Sequence, residues 1–359
     1  MNRKHSRGLA AIAAAALILA ACGGTDDEEV AEAPDTDTEE AEDTEEPDDT
    51  EEAEEDAAGD DEADFGGPIR VMISTRFNLP MIGSDAAEEL GIFEEMGLEV
   101  ENLEGQDVPQ GLASGDIDVG LASPNRFIGA IVAGLDATIV GPTVDVWDQY
   151  IIVRSDLGIE SVEDLEPGLS VGISSFGSAG HFSGQALAQE LGWGEDDYEI
   201  ATMGNLDGLL AGLRQGSIDM FMWSAQAAFT LQEEGVANLL GNVGEFIGPN
   251  PLDVIIVSNQ AIEERPHAIR AFCEGFYEAQ AMFQDDVDLA VDTFVDAWGY
   301  EPDITPAIVE SGSRFLSRGP EITDEMLANM AEATVFTIDD VGELTADDVA
   351  AMYTSCDQL

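Results

Sequence analysis

Hydrophobic residues are distributed along this chain in three distinct ways. Leu9 to Ala21 is a continuous apolar stretch, Asp26 to Asp64 is almost wholly polar, and from Ile69 onward short apolar runs of strand length alternate with longer segments of helical length. The third region repeats itself. Val71, Ile73 and Ser74 of a predicted strand recur as Val171, Ile173 and Ser174, and Glu89-Leu90-Gly91 recurs as Glu190-Leu191-Gly192, each glycine standing where a helix C-terminus calls for positive φ. Leu112, Gly115, Ile117 and Asp118 then return as Leu213, Gly216, Ile218 and Asp219. A short apolar strand follows in both copies, Val119 to Ala122 ending at Ser123 and Met220 to Met222 ending near Ser224. Three matches in the same order and at nearly constant offset predict two copies of one β-α-β-α-β unit, hence an α/β protein with two lobes. Weak period-2 alternation in the strands predicts parallel sheets covered on both faces. Ligands of such sheets bind beyond the carboxyl ends of the strands, which places the site in the cleft between the lobes.

Lobe boundaries follow from the second copy. The β-rich run Tyr150 to Val153 precedes it, so the first crossover is expected around Asp145 to Tyr150. After it, Pro249-Asn250-Pro251 punctuates the chain, and the apolar run Asp253 to Ser258 reads as a strand that returns to the first lobe. The expected division is residues 67–147 with 252–359 as lobe I and 148–251 as lobe II. Beyond Asn259 the periodicity is helical, with Ile269, Phe272, Cys273, Phe276 and Tyr277 on one stripe and Val291, Phe294, Val295 and Trp298 on another, both read as core.

The first two regions change the picture of location. Arg3, Lys4 and Arg7 precede the apolar stretch, which has the length of a signal h-region and ends in Leu19-Ala20-Ala21-Cys22, a bacterial lipobox pattern. Residues 1–21 are therefore expected to be a lipoprotein signal peptide, and Cys22 the acylated first residue of an exported, lipid-anchored protein. Residues 22–66 are expected to be a disordered tether. From Asp26 to Asp64 there are 24 acidic residues and no basic one, which cannot bury a core and repel one another into an extended spacer. The remainder still carries 52 acids against nine arginines, which excludes nucleic acid and anionic membrane surfaces as partners. The only lysine, Lys4, lies in the signal, and the acidic bias suits a salty medium that screens self-repulsion. Cys273 and Cys356 can pair outside the cytosol, a question their spacing leaves open. Three histidines, His5 among them in the signal, and no Cys/His cluster give no zinc-type site.

Three further segments carry a resemblance: Ala113-Ser114-Gly115-Asp116-Ile117-Asp118-Val119-Gly120, Gly158 to Leu165 leading into a strand, and Arg214-Gln215-Gly216-Ser217-Ile218-Asp219 before an aromatic. In their order, and together with the lipobox, they resemble the type II periplasmic solute-binding proteins of ABC importers, in the branch that includes nitrate, sulfonate, taurine and thiamine-pyrimidine binders. The resemblance spans nearly all of Pro68 to Trp298. It implies the type II periplasmic-binding-protein fold, hinge closure of two lobes over a small solute, and delivery by a monomer to a membrane permease driven by a cytoplasmic ATPase.

Candidate ligand contacts lie at the strand ends. In lobe II, Gly172 to His181 runs from a strand into a helix; Ser175, Phe176, Ser178, Ala179 and His181 are candidates, because small residues admit close approach and free amides at a helix N-terminus receive an anionic or polar head group. Ser178 reads equally as an ordinary N-cap, and His181 as a packed or capping residue. In lobe I the equivalent loop offers Arg76, Phe77 and Asn78. Arg76 is either a bidentate partner for a carboxylate, sulfonate or phosphate or an arginine paired with a neighbouring acid. The loops Ser123-Pro124-Asn125-Arg126 and Trp223-Ser224-Ala225-Gln226 are expected to face one another, giving Ser123, Trp223, Ser224 and Gln226, with Trp223 as a stacking wall. Trp147 and Tyr150, at the crossover, are secondary candidates.

The expected function is capture of a small polar or anionic organic solute, sulfonate-, taurine- or nitrate-like, for an ABC permease. The alternatives are a binder of a thiamine-pyrimidine-like heteroaromatic, a binding protein that serves a membrane sensor, and an enzyme on the same fold. No cofactor and no enzymatic activity are expected. The related pyrimidine synthases hold pyridoxal on a lysine, which the mature chain lacks, and no nucleophile elbow, metal set or Walker motif is present.

Overall fold

The computed structural model describes residues 65–338 and 340–359. The expected signal peptide, Cys22 and the whole acidic segment Asp26 to Asp64 lie outside the described residues. Ten strands form two five-stranded sheets. They are β1 (Ile69–Ile73), β2 (Val100–Glu104), β3 (Val119–Ala122), β4 (Ala137–Pro142), β5 (Tyr150–Arg154), β6 (Leu169–Ile173), β7 (Tyr198–Thr202), β8 (Met220–Trp223), β9 (Ala237–Asn242) and β10 (Val254–Ser258). One sheet has the order β2-β1-β3-β10-β4 and the other β7-β6-β8-β5-β9. The two orders are the same order written twice, with β6, β7, β8 and β9 standing for β1, β2, β3 and β4.

The repeated residues do the same work in both copies. Gly91 and Gly192 adopt φ of 75° and 69°, in the left-handed region that the helix ends there require. Asp118 Oδ2 accepts from the backbone N–H of Arg70 at 2.9 Å, and Asp219 Oδ2 accepts from that of Ser170 at 2.9 Å. Each aspartate thus ties the loop before the third strand to the start of the first, at the sheet edge remote from the cleft.

The expectation of wholly parallel sheets needs correction. β1 runs parallel to β2 and β3, and β6 to β7 and β8, but β10 is antiparallel to both β3 and β4, and β5 to both β8 and β9. The cause is the crossovers. Between β4 and β5, and again between β9 and β10, the chain passes from one sheet to the other and enters it beside the third strand running the opposite way. Local periodicity carries no mark of that direction.

The crossovers are held from the C-terminal half. Tyr277 Oη donates to the Pro142 carbonyl at 2.9 Å and Gln280 Nε2 to that of Thr143 at 3.0 Å, both from the helix Pro266–Asp285. Ile269, Phe272, Cys273 and Phe276 of that helix are buried, as their stripe predicts. Cys273 and Cys356 form a disulfide, which fastens the end of the chain to the same helix. The helix Asp324–Thr337 touches both lobes. It packs on the helix Pro124–Val132 of the first and on the helix Ala179–Glu190 of the second, where Phe336 meets Phe182 edge to face at 6.3 Å.

Candidate functional site

Four strand ends converge between the sheets. Ser74 and Thr75 follow β1, Ser123 follows β3, Ser174 follows β6, and Trp223 with Ser224 closes β8; together with Asn78, Gln106, Arg126, Gln149, Ser178, Ala179, Gly180, Leu252 and Asp253 they enclose a space of about 40 Å³. That is room for a few water-sized groups. Two hydrogen bonds cross the cavity from lobe to lobe. Ser224 Oγ donates to Asn78 Oδ1 at 2.7 Å, and Arg126 Nη2 donates to Ser175 Oγ.

Lobe II contributes neutral groups. The helix Ala179–Glu190 begins at the cavity with Ser178 as its N-cap, whose Oγ accepts from the His181 N–H at 3.3 Å, and the backbone of Ala179 and Gly180 forms part of the wall. The N–H groups of Ala179 and Gly180, the first two of the helix, have no partner inside it, so the wall presents donors. Trp223 is 9% exposed and its Nε1 has no hydrogen-bond partner among the described residues. In lobe I the Ser123 Oγ is likewise buried without a partner among them. A buried donor left unpaired costs about 1–3 kcal/mol, and one such group on each wall marks a cavity shaped for a polar guest.

Lobe I contributes charge. Arg126 is half-buried; Nη1 donates to the Gln106 carbonyl at 2.7 Å, Nη2 is occupied by Ser175, and its guanidinium has no carboxylate in ion-pair contact among the described residues. Desolvation lowers its pKa, against the pull of the Asp253 and Asp107 carboxylates. Asp253 is 3% exposed, and burial pushes its carboxyl up to about 7, opposed by the charge of Arg126. Its backbone is fixed between the two crossovers, its carbonyl accepting from Thr143 N at 2.9 Å and from Thr143 Oγ1 at 3.1 Å.

Of the residues singled out from the sequence, Asn78, Ser123, Ser178, Ala179, Trp223 and Ser224 line the cavity. Arg76 and Phe77 do not. Arg76 Nε and Nη2 donate to Asp85 Oδ1 at 2.8 and 2.6 Å, Nη1 donates to the Asn102 carbonyl at 3.1 Å, and Glu88 lies 3.6 Å away, so the guanidinium is consumed within lobe I. Phe77 adopts φ of 56°, its N–H donates to Asp85 Oδ2 at 3.0 Å, and its ring lies 5.5 Å from that of Trp298, which makes it a folded corner rather than a ring face for ligand. Ser175 reaches the site only through Arg126. Phe176 is 66% exposed and meets the His181 ring edge to face, while His181 Nδ1 accepts from the Gly177 N–H at 3.1 Å, so the pair shapes the turn behind the wall. Gln226 is half-buried outside the lining, its buried Oε1 without a partner among the described residues. Trp147 is also structural: its Nε1 donates to Ser183 Oγ at 2.7 Å, and Ser183 Oγ donates to Gln149 Oε1 at 2.6 Å, seating Gln149 at the cavity.

Sequence reasoning passed over Arg126, Asp253, Gln106 and Gln149. Arg126 had a signal, since it closes the loop equivalent to that after Trp223 and is one of few cations. Asp253 had a fainter one, an acid at the head of an apolar strand just after the second crossover.

Two α/β lobes of identical strand order, joined by two crossovers around an interlobe cavity, define the periplasmic-binding-protein fold. A family model described as NMT1/THI5 like matches residues 79–288, more than half of the chain, and the protein belongs to that family. Among solved structures, the chain is similar to the alkanesulfonate-binding protein SsuA from Xanthomonas axonopodis pv. citri bound to MOPS, with 18% identity and a TM-score of 0.64 over 79% of this chain and 97% of that one. It is similar also to the periplasmic aliphatic sulphonate binding protein SsuA from Escherichia coli, at 18% identity and a TM-score of 0.64 over 81% and 93%. The desulfurization enzyme DSZB shares the fold at 17% identity and a TM-score of 0.55 over 80% and 96%. No curated protein matches the chain.

Proposed function

We propose that the protein is the extracytoplasmic solute-binding component of an ABC importer, held to the membrane by a lipid on Cys22. It captures a small polar or anionic organic solute between its lobes and presents the closed form to the permease. The observation that carries the reading is Arg126, a half-buried cation at the interlobe cavity with no carboxylate in ion-pair contact among the described residues of a strongly acidic chain. Beside it, the N-terminus of the helix Ala179–Glu190 and the unpaired Ser123 Oγ and Trp223 Nε1 supply donors for the same head group. Likeness to sulfonate binders supports an oxyanion as that group, and the Cys273–Cys356 disulfide suits an oxidising location outside the cytosol.

Thermal unfolding of the protein in molar salt tests this against sulfonates, nitrate, carboxylates, pyrimidines and amino acids. A ligand raises stability by RT ln(1 + [L]/Kd), about 2.7 kcal/mol at a hundredfold excess over Kd. A selective shift with an oxyanion is the expected result. A shift with a pyrimidine alone would instead make Trp223 the main contact, and turnover of any hit would favour the enzyme reading that the likeness to DSZB raises.

A further inference from the structure

The two hydrogen bonds that join the lobes across the cavity are poorly placed to hold them together once a ligand arrives. Arg126, Asn78 and Ser224 all line the cavity, so an oxyanion that takes the guanidinium or the Ser224 hydroxyl competes with the opposite lobe for the same donors. Each bond is also exchanged for one to water when the lobes part, which leaves only a modest net gain from closing. Apolar contacts outside the cavity suffer neither loss.

Such contacts exist where the end of the helix Asp324–Thr337 reaches lobe II. The ring of Phe336 meets that of Phe182 edge to face. Ile338, half-buried, lies so close over Gly177 that a Cβ on that glycine would stand 2.5 Å from Ile338 Cδ1. On its lobe I side the same residue covers Gly129, where a Cβ would stand 3.3 Å from Ile338 Cγ2. Glycine at both positions admits a β-branched side chain between two backbones, and at Gly177 it also accommodates a φ of 76°. Gly129 lies three residues beyond Arg126 on the helix Pro124–Val132, and Gly177 two residues beyond Ser175, so Ile338 spans the lobes alongside the Arg126–Ser175 bond. Neither Ile338 nor Gly177 lines the cavity.

We infer that Ile338, with Phe336, is an apolar clasp that holds the lobes closed independently of the ligand. Ile338 is a positioning residue, acting through the turn that carries Ser178 and Ala179 to the cavity wall. The inference rests on capture of a solute between the lobes and adds what sets the closed population. Its consequence is a common factor: a change in the fraction of protein that the clasp keeps closed scales the affinity for every ligand alike.

The first arm of the test needs no ligand. Distances between one probe on each lobe, measured on the full chain in molar salt, should show a closed population in the ligand-free protein. In Ile338→Ala that population should fall roughly fivefold to tenfold, as expected for truncating a half-buried isoleucine. Gly177→Ala, which drives a methyl group into Ile338, should also open the lobes. Adding Ile338→Ala to it should close them again, a reversal that a general loss of stability does not produce. In the second arm, each ligand found by the thermal screen should leave Ile338→Ala roughly fivefold to tenfold faster, by the same factor whatever its chemistry. A ligand-free protein found wholly open, or a closed population that Ile338→Ala leaves unchanged, overturns the inference. So does a loss of affinity confined to one ligand class, which would make Ile338 a ligand contact. Failure of every compound to bind overturns solute capture instead, with the clasp decided by the first arm. If Gly177→Ala does not fold, the distances in Ile338→Ala decide alone.

Discussion

The loop after β1 and the loop after β6 hold equivalent positions in the two lobes, yet the first spends its charged group inside its own lobe. In lobe I, Arg76 and the backbone of Phe77 are bound by Asp85, and Ser74, Thr75 and Asn78 bring only neutral groups to the cavity. In lobe II, Ser178, Ala179 and Gly180 open directly onto it. The division of labour runs through the whole site: lobe I brings charge from elsewhere, Arg126 after β3 and Asp253 before β10, while lobe II brings neutral donors and an aromatic wall. Duplication supplied two similar frames, and the chemistry was then distributed unequally between them. Such a distribution favours closure around a guest that has something to offer each side.

The sharpest way to break this comparison is to remove the charge from lobe I. Arg126→Gln should weaken binding of an anionic ligand by about 2–5 kcal/mol, with little change in melting temperature, because the guanidinium holds no ion pair among the described residues. Calorimetry beside a melting curve checks it; intact affinity would move the anion contact to lobe II. The converse experiment is Arg76→Ala. It leaves the Asp85 side chain, 1% exposed, without its cation, and should cost about 2 kcal/mol of stability at constant affinity, less than a fully buried pair would lose because Arg76 is partly in solvent. A fall in affinity without a fall in stability would return Arg76 to the site. Smallest is Ser224→Ala, which deletes the interlobe hydrogen bond to Asn78 and should weaken ligand binding by about 1 kcal/mol through a less stable closed form. The closed fraction, read by a distance probe on each lobe, should fall with it.

What the sequence makes legible in this protein is what repeats. The glycines act at the ends of their own helices, and Asp118 and Asp219 each tie the first and third strands of their own copy, so position within the repeat carries their role. The antiparallel entry of β5 and β10 is set by where the chain arrives from, and no local pattern encodes it. The site divides in the same way. Ser123, Trp223 and Ser224 are legible because they end strands, and strand ends meet at the cleft. Arg76 and Arg126 are indistinguishable as letters; what separates them is that Asp85 stands nine residues from the first, whereas the second is flanked by Gln106 and Ser175 from distant parts of the chain. Whether an arginine is free for a ligand depends on its surroundings in space.

The interleaved strand order also sets a schedule for synthesis. All five strands of the second sheet lie between Tyr150 and Asn242 in one unbroken stretch, whereas the first sheet lacks its fourth strand until Val254–Ser258 has been made. A chain emerging from its N-terminus can therefore finish the later lobe first, with the earlier one waiting, unsealed along β3 and β4, for a segment more than a hundred residues behind. Until β10 arrives, that waiting edge is the stretch of the chain most open to pairing with the wrong partner.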